Sequence, residues 1–499
     1  MALSFDQEPI LNTDKIPVIT NWNPVIGFML YQSSSIASFF YYKLVFEVYI
    51  GASVTASLLI GKMKQRRNGA AVDIASNKAR AYFDLRDIVN SQLVDTIYDQ
   101  NSAANKMKTI HKLGSNVPAK PFSLNGDKMQ TYGDGSTLKS QIVQITVKGY
   151  QHYSTAVNTS PVDVAAGAVN NTAKPIWFMA ASLPLFTARN TSSGYLQGTD
   201  FQAFQMSGTS KRFLSDVQQS AGDVVGGSVY RNYVQDTDYH TIGFLNGEGD
   251  FASVARYINV AYYNAAGAQI GSTQELSNKN DAGGAIPTTS GSEVNTDVER
   301  LVYFGCGPAN LEAQSEETNA RPSSFADWAY YKIWAEDATG SGTAKSADYY
   351  FIKQDASCKG YKVRRLAWRN SFGCWDYFNF KMKSEQSIKV ERNDFSTLLG
   401  NFNEEKFSYA NSQRGKKTRQ TTATLEETLN TDWITEQDAQ LLEGLIMSTN
   451  VEMVENADTD YTQGVMVTDT SFVRKTVAND KMIQYTIKIE YANNLNTNS

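Results

Sequence analysis

Side chains that could perform catalysis are few and scattered in this sequence. The three histidines, His111, His152 and His240, lie far apart, and none accompanies a serine or cysteine motif. A general base must lie within hydrogen-bonding reach of the group it deprotonates, and the spacing indicates no such arrangement. His240 precedes an apolar strand and is predicted to be a packed or surface residue. We therefore predict that the protein is not an enzyme.

Acidic residues that could bind calcium occur in two pairs, Asp236 with Asp238 and Asp458 with Asp460. Neither pair continues into a full calcium-binding loop with its glycine and terminal glutamate. The turn Gly305–Pro308 fits no phosphate-binding loop, because no lysine follows it and no helix is predicted to begin there. We predict no bound metal ion and no cofactor.

The cysteines Cys306, Cys358 and Cys374 form an odd set without CxxC spacing. This pattern is typical neither of a disulfide framework nor of a zinc site. We expect buried thiols in a reducing compartment. A bridge between Cys358 and Cys374 is the alternative.

Basic side chains form two clusters. The first holds Lys62, Lys64, Arg66 and Arg67, and the second holds Arg414, Lys416, Lys417 and Arg419. The chain has 46 basic against 51 acidic residues, a net charge of −5, which argues against a protein that wraps nucleic acid. The clusters are predicted to lie in solvated loops or to contact acidic neighbouring proteins. Contact with nucleic-acid phosphates is the alternative.

The composition favours strands over helices. The 499 residues are 12% aromatic and 19% charged, and aromatic and β-branched residues fit a pleated sheet. A chain of this length exceeds one hydrophobic core. We predict an all-β fold with two to three antiparallel β-sandwich-like domains and two short accessory amphipathic helices. The predicted parts are residues 1–100 (a sandwich with a closing helix), 101–139 (a linker), 140–385 (a large central β domain, or two) and 386–499 (a β domain with one helix).

Two helices have recognisable starts. Asp84 is predicted to cap a helix over Leu85–Ile97, and Thr435 with Asp438 resembles a capping box for a helix ending at Met447. The second helix is expected to turn four apolar residues inward: Leu441, Leu442, Leu445 and Ile446. By contrast, the small residues of Val162–Thr172 predict a loop.

The most apolar window, Ile36–Ile60, is long enough to cross a membrane. It contains Lys43 and Glu47, however, and its apolar residues alternate with a period of two, which is typical of a strand. We predict no membrane span. The first residues, Met1–Lys15, show no apolar stretch behind a basic region, so we also expect no signal peptide.

Regular alternation marks Met482–Tyr491 as a strand with one apolar face. The long polar stretch 276–296 exceeds ordinary connections between elements. We expect this stretch, together with Met1–Lys15 and Asn493–Ser499, to become ordered against neighbouring chains in a homo-oligomer.

The aromatic stretch Cys358–Lys381 predicts a β-hairpin. Strand-like segments Tyr361–Trp368 and Cys374–Phe380 flank a short turn that ends in glycine. Seven aromatic residues could bury a large area, so we predict that Trp368 and Trp375 lie in a core. A surface cluster that docks a partner or a sugar is the alternative.

Several of these segments resemble virion structural proteins of tailed bacteriophages. The similarity lies in SCKGYKVRRLAWRNSFGCWDYFNFKMK, WITEQDAQLLEGLIMS and KTVANDKMIQYTIKIEYANN, and near the N-terminus in YYKLVFEVYI followed by RAYFDLRDIVNSQL. It covers residues 17–100 and 240–495 and leaves 100–240 unmatched. The resemblance implies a non-enzymatic component of the tail or baseplate. Such a component is assembled in the host cytoplasm and works in the virion in symmetric copies, beside other virion proteins. The alternative is a host-surface or carbohydrate-binding module of an adhesion fibre.

Overall fold

The fold comes from a computed structural model, which describes most of the chain with gaps. The described residues are 3–7, 18–20, 27–51, 53–66, 78–93, 110–112, 142–171, 176–181, 204–221, 228–246, 255, 257–277, 301–312, 327–337, 342–354, 360–403, 405–410, 412, 415–454, 462–469, 471–473, 483–493 and 495–498. The protein is all-β, as predicted.

The strands of the described residues are numbered in chain order. They are β1 Leu3–Gln7, β2 Val18–Thr20, β3 Gly27–Gln32, β4 Phe40–Ile50, β5 Leu59–Arg66, β6 Ala79–Asp84, β7 Ile142–Ser154, β8 Val162–Asn170, β9 Ile176–Met179, β10 Gln205–Met206, β11 Gln219–Ala221, β12 Ser228–Val234, β13 Thr241–Asn246, β14 Tyr257–Tyr263, β15 Gln269–Ser277, β16 Leu301–Gly305, β17 Tyr330–Glu336, β18 Tyr349–Lys353, β19 Arg364–Arg369, β20 Trp375–Phe380, β21 Glu385–Ser396, β22 Asn401–Asn403, β23 Lys406–Ser408, β24 Lys416–Asn430, β25 Val451–Val454, β26 Thr462–Val467, β27 Thr486–Tyr491 and β28 Leu495–Asn498. The helices are α1 Arg86–Asn90, α2 Pro308–Glu312 and α3 Glu436–Met447, and the 3-10 turns are Ala56–Leu58 and Ile110–Lys112.

The chain forms two compact units. The first unit comprises Met1–Lys353 and Asn370–Asp376, and the second comprises Gln354–Arg369 and Tyr377–Ser499. This division differs from the predicted boundaries. Strands from both sides of the predicted linker 101–139 pair in one sheet, where β4 runs antiparallel to β7.

The first unit begins with a sandwich of two sheets. One has the strand order β1-β3-β6, and the other has β2-β9-β7-β4-β5 with β8 added beside β7. Their inner faces share one hydrophobic core, in which the rings of Phe46 and Phe83 stack at 4.9 Å between centroids. A side chain at Gly149 would collide with Leu30, because an added Cβ would lie 2.5 Å from it. Glycine therefore allows the two layers to approach closely here.

Two further sheets of the first unit have the orders β10-β13-β16 and β11-β12-β18-β17-β14-β15. Aromatic residues connect them. The imidazole of His240 meets the ring of Phe351 edge-on at 5.0 Å, and Tyr331 donates a 2.6 Å hydrogen bond to the carbonyl of Cys306. The second layered core is therefore largely aromatic.

The second unit has an eight-stranded sheet of order β20-β19-β25-β26-β27-β24-β21, with β28 also paired to β24. Helix α3 contacts β19. Its predicted capping box is confirmed, because Thr435 Oγ1 accepts from the Asp438 amide and the Asp438 carboxylate accepts from the Thr435 amide. Leu441, Leu442 and Leu445 are buried as predicted, whereas Ile446 is only half-buried.

The aromatic hairpin is core, as predicted. Its two strands are β19 and β20, and Trp368 is fully buried while Trp375 is nearly so. The predicted alternation of Met482–Tyr491 is also confirmed. Ile483, Tyr485, Ile487, Ile489 and Tyr491 are all buried.

Three sequence predictions are wrong in detail. Val162–Asn170 is a strand rather than a loop, because it pairs with β7 despite its small residues. Helix α2 begins at Pro308, where no helix was expected. Helix α1 begins at Arg86 and ends at Asn90, and Asp84 accepts from the Arg86 amide without being the N-cap residue. Among the described strands the sheets are mainly antiparallel, as predicted, although β2 with β9, β10 with β13 and β12 with β18 pair in parallel.

Both terminal segments also differ from expectation, since each supplies a strand to a sheet of its own chain. Leu3–Gln7 pairs with β3, and Leu495–Asn498 pairs with β24. Of the polar stretch 276–296, the structure describes the first two residues, which end β15. No helix among the described residues has the length and apolar character needed to cross a bilayer.

Candidate interaction surface

The first basic cluster lies on an open sheet face of the first unit. Lys62 is opposite Glu47 in the β4–β5 pair, and its Nζ lies 3.1 Å from Glu47 Oε1 and 2.8 Å from Asp163 Oδ2. Lys64 Nζ lies 3.2 Å from Asp163 Oδ1. Both lysines therefore pair with acids of their own chain. Arg66 belongs to β5, but its side chain and the whole of Arg67 lie outside the described residues.

Hydrogen bonds fix the protonation states of this face. Burial acts to raise the pKa of Glu47, but hydrogen bonds from Tyr49 at 2.6 Å, from Tyr150 at 2.7 Å and from Lys62 outweigh it, so the pKa is lowered. Burial also acts to raise the pKa of Asp163, but hydrogen bonds from Lys62, His152 and Lys64 outweigh it and lower the pKa. Both carboxylates are ionised at neutral pH and balance the two lysines.

The second basic cluster lies on a different kind of surface. Lys416, Lys417 and Arg419 are exposed residues at the start of β24, and Arg414 lies outside the described residues. Lys416 Nζ is 3.3 Å from Asp394 Oδ2, and hydrogen bonds from Thr418 and Lys416 lower the pKa of Asp394. We name the segment Glu385–Asn430, which contains these residues, the β-arm.

The β-arm forms one edge of the eight-stranded sheet, where β24 also pairs with β27 and β28 on its other side. Strand β21 pairs with β24 from Glu385 opposite Thr428 to Ser396 opposite Lys416, and every residue of β21 is exposed. Beyond this pair, β22 and β23 form a smaller hairpin. Large apolar side chains are nevertheless frequent along it, and those that are exposed are Ile388, Val390, Phe395, Leu398, Leu399, Phe407 and Tyr409.

Leu398 is the extreme case, with 94% of its surface exposed. Scattered apolar residues are normal on a protein surface, but a contiguous series marks an interaction site or an aggregation hazard. Strand β21 is also an edge strand, and an unpaired edge is a template for pairing with another chain. The β-arm therefore has the properties of a surface that is completed by another molecule.

A buried polar cluster anchors the base of the β-arm. The carboxylate of Glu427 accepts from Arg364 Nε at 2.8 Å, from Tyr491 OH at 2.6 Å and from Gln386 Nε2 at 3.0 Å. Burial acts to raise the pKa of Glu427, yet these hydrogen bonds lower it. The base of the arm is therefore held in place within the second unit.

The remaining candidates for chemistry have structural contacts. His111 packs edge-on against Trp375 at 4.8 Å, and His152 Nδ1 lies 2.6 Å from Asp163 Oδ1. Asp236 accepts from the Trp328 indole at 2.7 Å, and Asp238 accepts from the Gln235 amide at 2.8 Å. Among the described residues, no group of three or more His, Cys, Asp or Glu side chains is placed to hold a metal ion.

The thiols of Cys306 and Cys374 are buried, as predicted. Cys374 Sγ lies 3.8 Å from the hydroxyl of Tyr303. Cys358, Asp458 and Asp460 lie outside the described residues.

Sequence reasoning missed a buried carboxylate pair in the first unit. Asp376 accepts from Ser215 Oγ at 2.6 Å, from the Asp216 amide at 2.8 Å and from Asn370 Nδ2 at 3.1 Å. Asp216 in turn accepts from the Ser371 amide at 2.9 Å. Burial and the neighbouring Asp216 raise the pKa of Asp376 to about 7. The sequence signal for this pair was the acidic residue Asp376 within the aromatic segment WDYFNF.

An open cleft of about 720 Å³ lies elsewhere in the first unit, lined by Tyr41, Tyr42, Lys43 and residues 157–161. Tyr41 is exposed and has a φ of 56°, a left-handed backbone conformation that residues other than glycine rarely adopt. Its hydroxyl donates to the carbonyl of Val157 at 3.0 Å. Strained residues cluster at functional sites, so the cleft is a second candidate site.

Compared with models of protein families and with curated proteins, the chain matches none.

Proposed function

We propose that this chain is a non-enzymatic structural component of a tailed-bacteriophage virion. It would act in the tail or baseplate, in symmetric copies that contact one another and neighbouring virion proteins. The observation that carries this proposal is the β-arm, with its exposed series of apolar residues. The resemblance of the sequence to virion structural proteins supports the viral context.

Burial against a neighbour would stabilise the arm in two ways. It would remove apolar side chains such as Leu398 and Phe407 from water, which is favourable by about 25 cal/mol per Å². It would also pair or cover the edge strand β21, whose outer side no strand of the described chain pairs with. The exposed cations Lys417 and Arg419 would then form rim contacts, which contribute more to register than to affinity.

The test is Leu398→Asp in the full chain. Because Leu398 is almost entirely exposed, the substitution should leave thermal unfolding unchanged. Light scattering and electron microscopy should show a loss of the ordered oligomer. Val473→Asp is the matched control, since Val473 is 68% exposed outside the arm. An oligomer unaffected by Leu398→Asp would remove the main support for the proposal.

A second candidate function is a host-surface or carbohydrate-binding module, and the cleft beside Tyr41 favours it. An exposed tyrosine ring can stack on a sugar, and the exposed Asn158, Thr159 and Ser160 carry groups that hydrogen-bond to hydroxyls. Calorimetry with purified cell-surface polysaccharide tests this function. Binding should be lost in Tyr41→Ala and kept in Tyr409→Ala, which removes an exposed tyrosine of the arm. Wild-type protein that releases no binding heat with any such polysaccharide would exclude it.

A further inference from the structure

The outer edge of β21 has properties suited to pairing with a second copy of this chain. Strand β21 is the last strand in the sheet order, and in the described part of the chain no other strand pairs with its outer side. It is 12 residues long, contains no proline, and is exposed throughout. Proteins usually protect edge strands by short length, proline, bulges or charge.

The pairing of this edge strand with β24 has a register shift between Asn393 and Asp394. The edge is also charged, with residues of both signs. Lys389, Glu391 and Arg392 follow one another around Val390 in the sequence IKVER. A uniformly charged edge would repel an identical strand, whereas an edge of mixed sign can attract one in the correct register.

We propose that β21 of one copy pairs antiparallel with β21 of a second copy, across a two-fold axis that passes beside Val390. This inference rests on the proposed function and names the partner of the arm. In this register Val390 lies opposite Val390 of the second copy. Lys389 lies opposite Glu391 of the second copy, and the two-fold axis repeats that ion pair.

Neighbouring two-fold registers are disfavoured by like charges. A two-fold axis at residue 389 would place Lys389 opposite Lys389 of the second copy. Axes at residues 391 and 392 would likewise place Glu391 opposite Glu391, and Arg392 opposite Arg392, of the second copy. An axis at 388 would place Glu385 opposite Glu391. Like charges directly opposite are destabilising in a sheet. The register at Val390 avoids every such contact over Glu385–Phe395.

Two other registers also pair opposite charges. The register centred on Ser387 sets Glu385 against Lys389, and the register centred on Asn393 sets Arg392 against Asp394. They cover only Glu385–Lys389 and Val390–Ser396 within β21, so each forms a shorter ladder of backbone hydrogen bonds than the register at Val390. The structure therefore favours the axis at Val390, and the three registers can be distinguished directly.

The rest of the sheet tolerates changes at these positions. Within the chain, Lys389 is opposite Thr424 and Glu391 is opposite Thr422. Reversing either charge therefore creates no like-charge pair across β21 and β24 of the same copy. Both side chains are exposed, so the fold should not depend on them.

The first experiment is cysteine cross-linking in the full-length protein. Val390→Cys should give a covalent dimer under mild oxidation, since cross-strand partners in an antiparallel pair approach the distance of a disulfide. Ser387→Cys and Asn393→Cys are the matched controls and should remain largely monomeric on a denaturing gel, as should the wild type with its native cysteines.

The second experiment exchanges the charges. Lys389→Glu introduces two like-charge contacts and should weaken association about tenfold, and the double variant Lys389→Glu with Glu391→Lys should restore it. Light scattering measures both. If the chain assembles but Val390→Cys does not cross-link, or if Ser387→Cys or Asn393→Cys cross-links faster, the inference is wrong while the proposed function stands. A chain that stays monomeric at all concentrations would overturn both.

Discussion

Two hairpins of this protein contrast in how they use apolar side chains. The aromatic hairpin of β19 and β20 buries its tryptophans, and every residue of β20 is buried. The β-arm carries leucine, isoleucine, valine and phenylalanine, yet every residue of its β21 is exposed. Both segments form strands, so strand formation alone does not indicate where a strand contributes its stability.

The difference lies in what covers each ribbon. Residues on both faces of β20 are buried. The strand tolerates the acidic residue Asp376 only because its carboxylate accepts three hydrogen bonds. Along β21 charged residues alternate with apolar ones, and no second layer of the described chain removes them from water. The aromatic hairpin therefore stabilises the folded chain, whereas the arm is expected to stabilise an assembly.

The largest contrast is expected for deletion of an aromatic side chain. Trp368→Ala should destabilise the fold by about 3–5 kcal/mol, because it removes a fully buried ring and leaves a cavity. Phe407→Ala on the arm should change the free energy of unfolding by about 0.5 kcal/mol or less. Denaturant unfolding followed by circular dichroism measures both. Equal losses would mean that the arm is part of the core of a single chain.

Removal of one cation from an ion pair should give the next contrast. Arg364→Ala leaves the buried Glu427 without its cation and should cost about 3 kcal/mol. Lys416→Ala breaks the pair with Asp394 on the arm, where 75% of the lysine side chain is exposed, and should leave the denaturant midpoint almost unchanged. Denaturant midpoints of the two variants test this. A costly Lys416→Ala would contradict an open arm.

The sequence predicts elements whose causes are local. The cap at Thr435 depends on a residue three positions away, and the buried face of β27 follows from simple alternation. The strand Val162–Asn170 was missed because its small residues favour a loop, and only pairing with β7 makes it a strand. The exposure of β21 was equally invisible, since it depends on which elements of the fold cover it.

The candidate sites, too, were predictable from the sequence only where their causes are local. Both basic clusters were visible in the sequence, but the acids that neutralise Lys62 and Lys64 come from other strands. Asp163 lies about a hundred positions from either lysine in the chain. The Asp216–Asp376 pair joins residues 160 positions apart. No local pattern predicts such a contact.

The two hairpins should also differ in how their acidic residues make the melting temperature depend on pH. The pKa of Asp376 is raised from 3.8 to about 7, so its stabilising contribution is complete below about pH 4 and is lost as the pH rises through about 7. The melting temperature should fall from pH 5 to pH 8, and Asp376→Asn should flatten that slope.

Asp394→Asn is the matched control on the arm. The pKa of Asp394 is lowered, so its contribution is present at neutral pH and is lost only in acid. Its replacement should leave the slope between pH 5 and pH 8 unchanged. A wild-type slope that survives Asp376→Asn would show that another group is responsible.

The smallest expected effect concerns two valines. Val451 in β25 is buried, so Val451→Thr places a hydroxyl in the core and should cost about 1–3 kcal/mol. Val390→Thr keeps the shape of an exposed side chain in β21 and should change the unfolding free energy of the monomer by less than about 0.5 kcal/mol. Denaturant unfolding at two protein concentrations measures both. At low concentration Val390→Thr should be silent, and at high concentration any loss should grow, because the valine is then buried against a second copy. A loss that is already complete at low concentration would mean that Val390 is covered within its own chain, and the contrast between the two hairpins would then disappear.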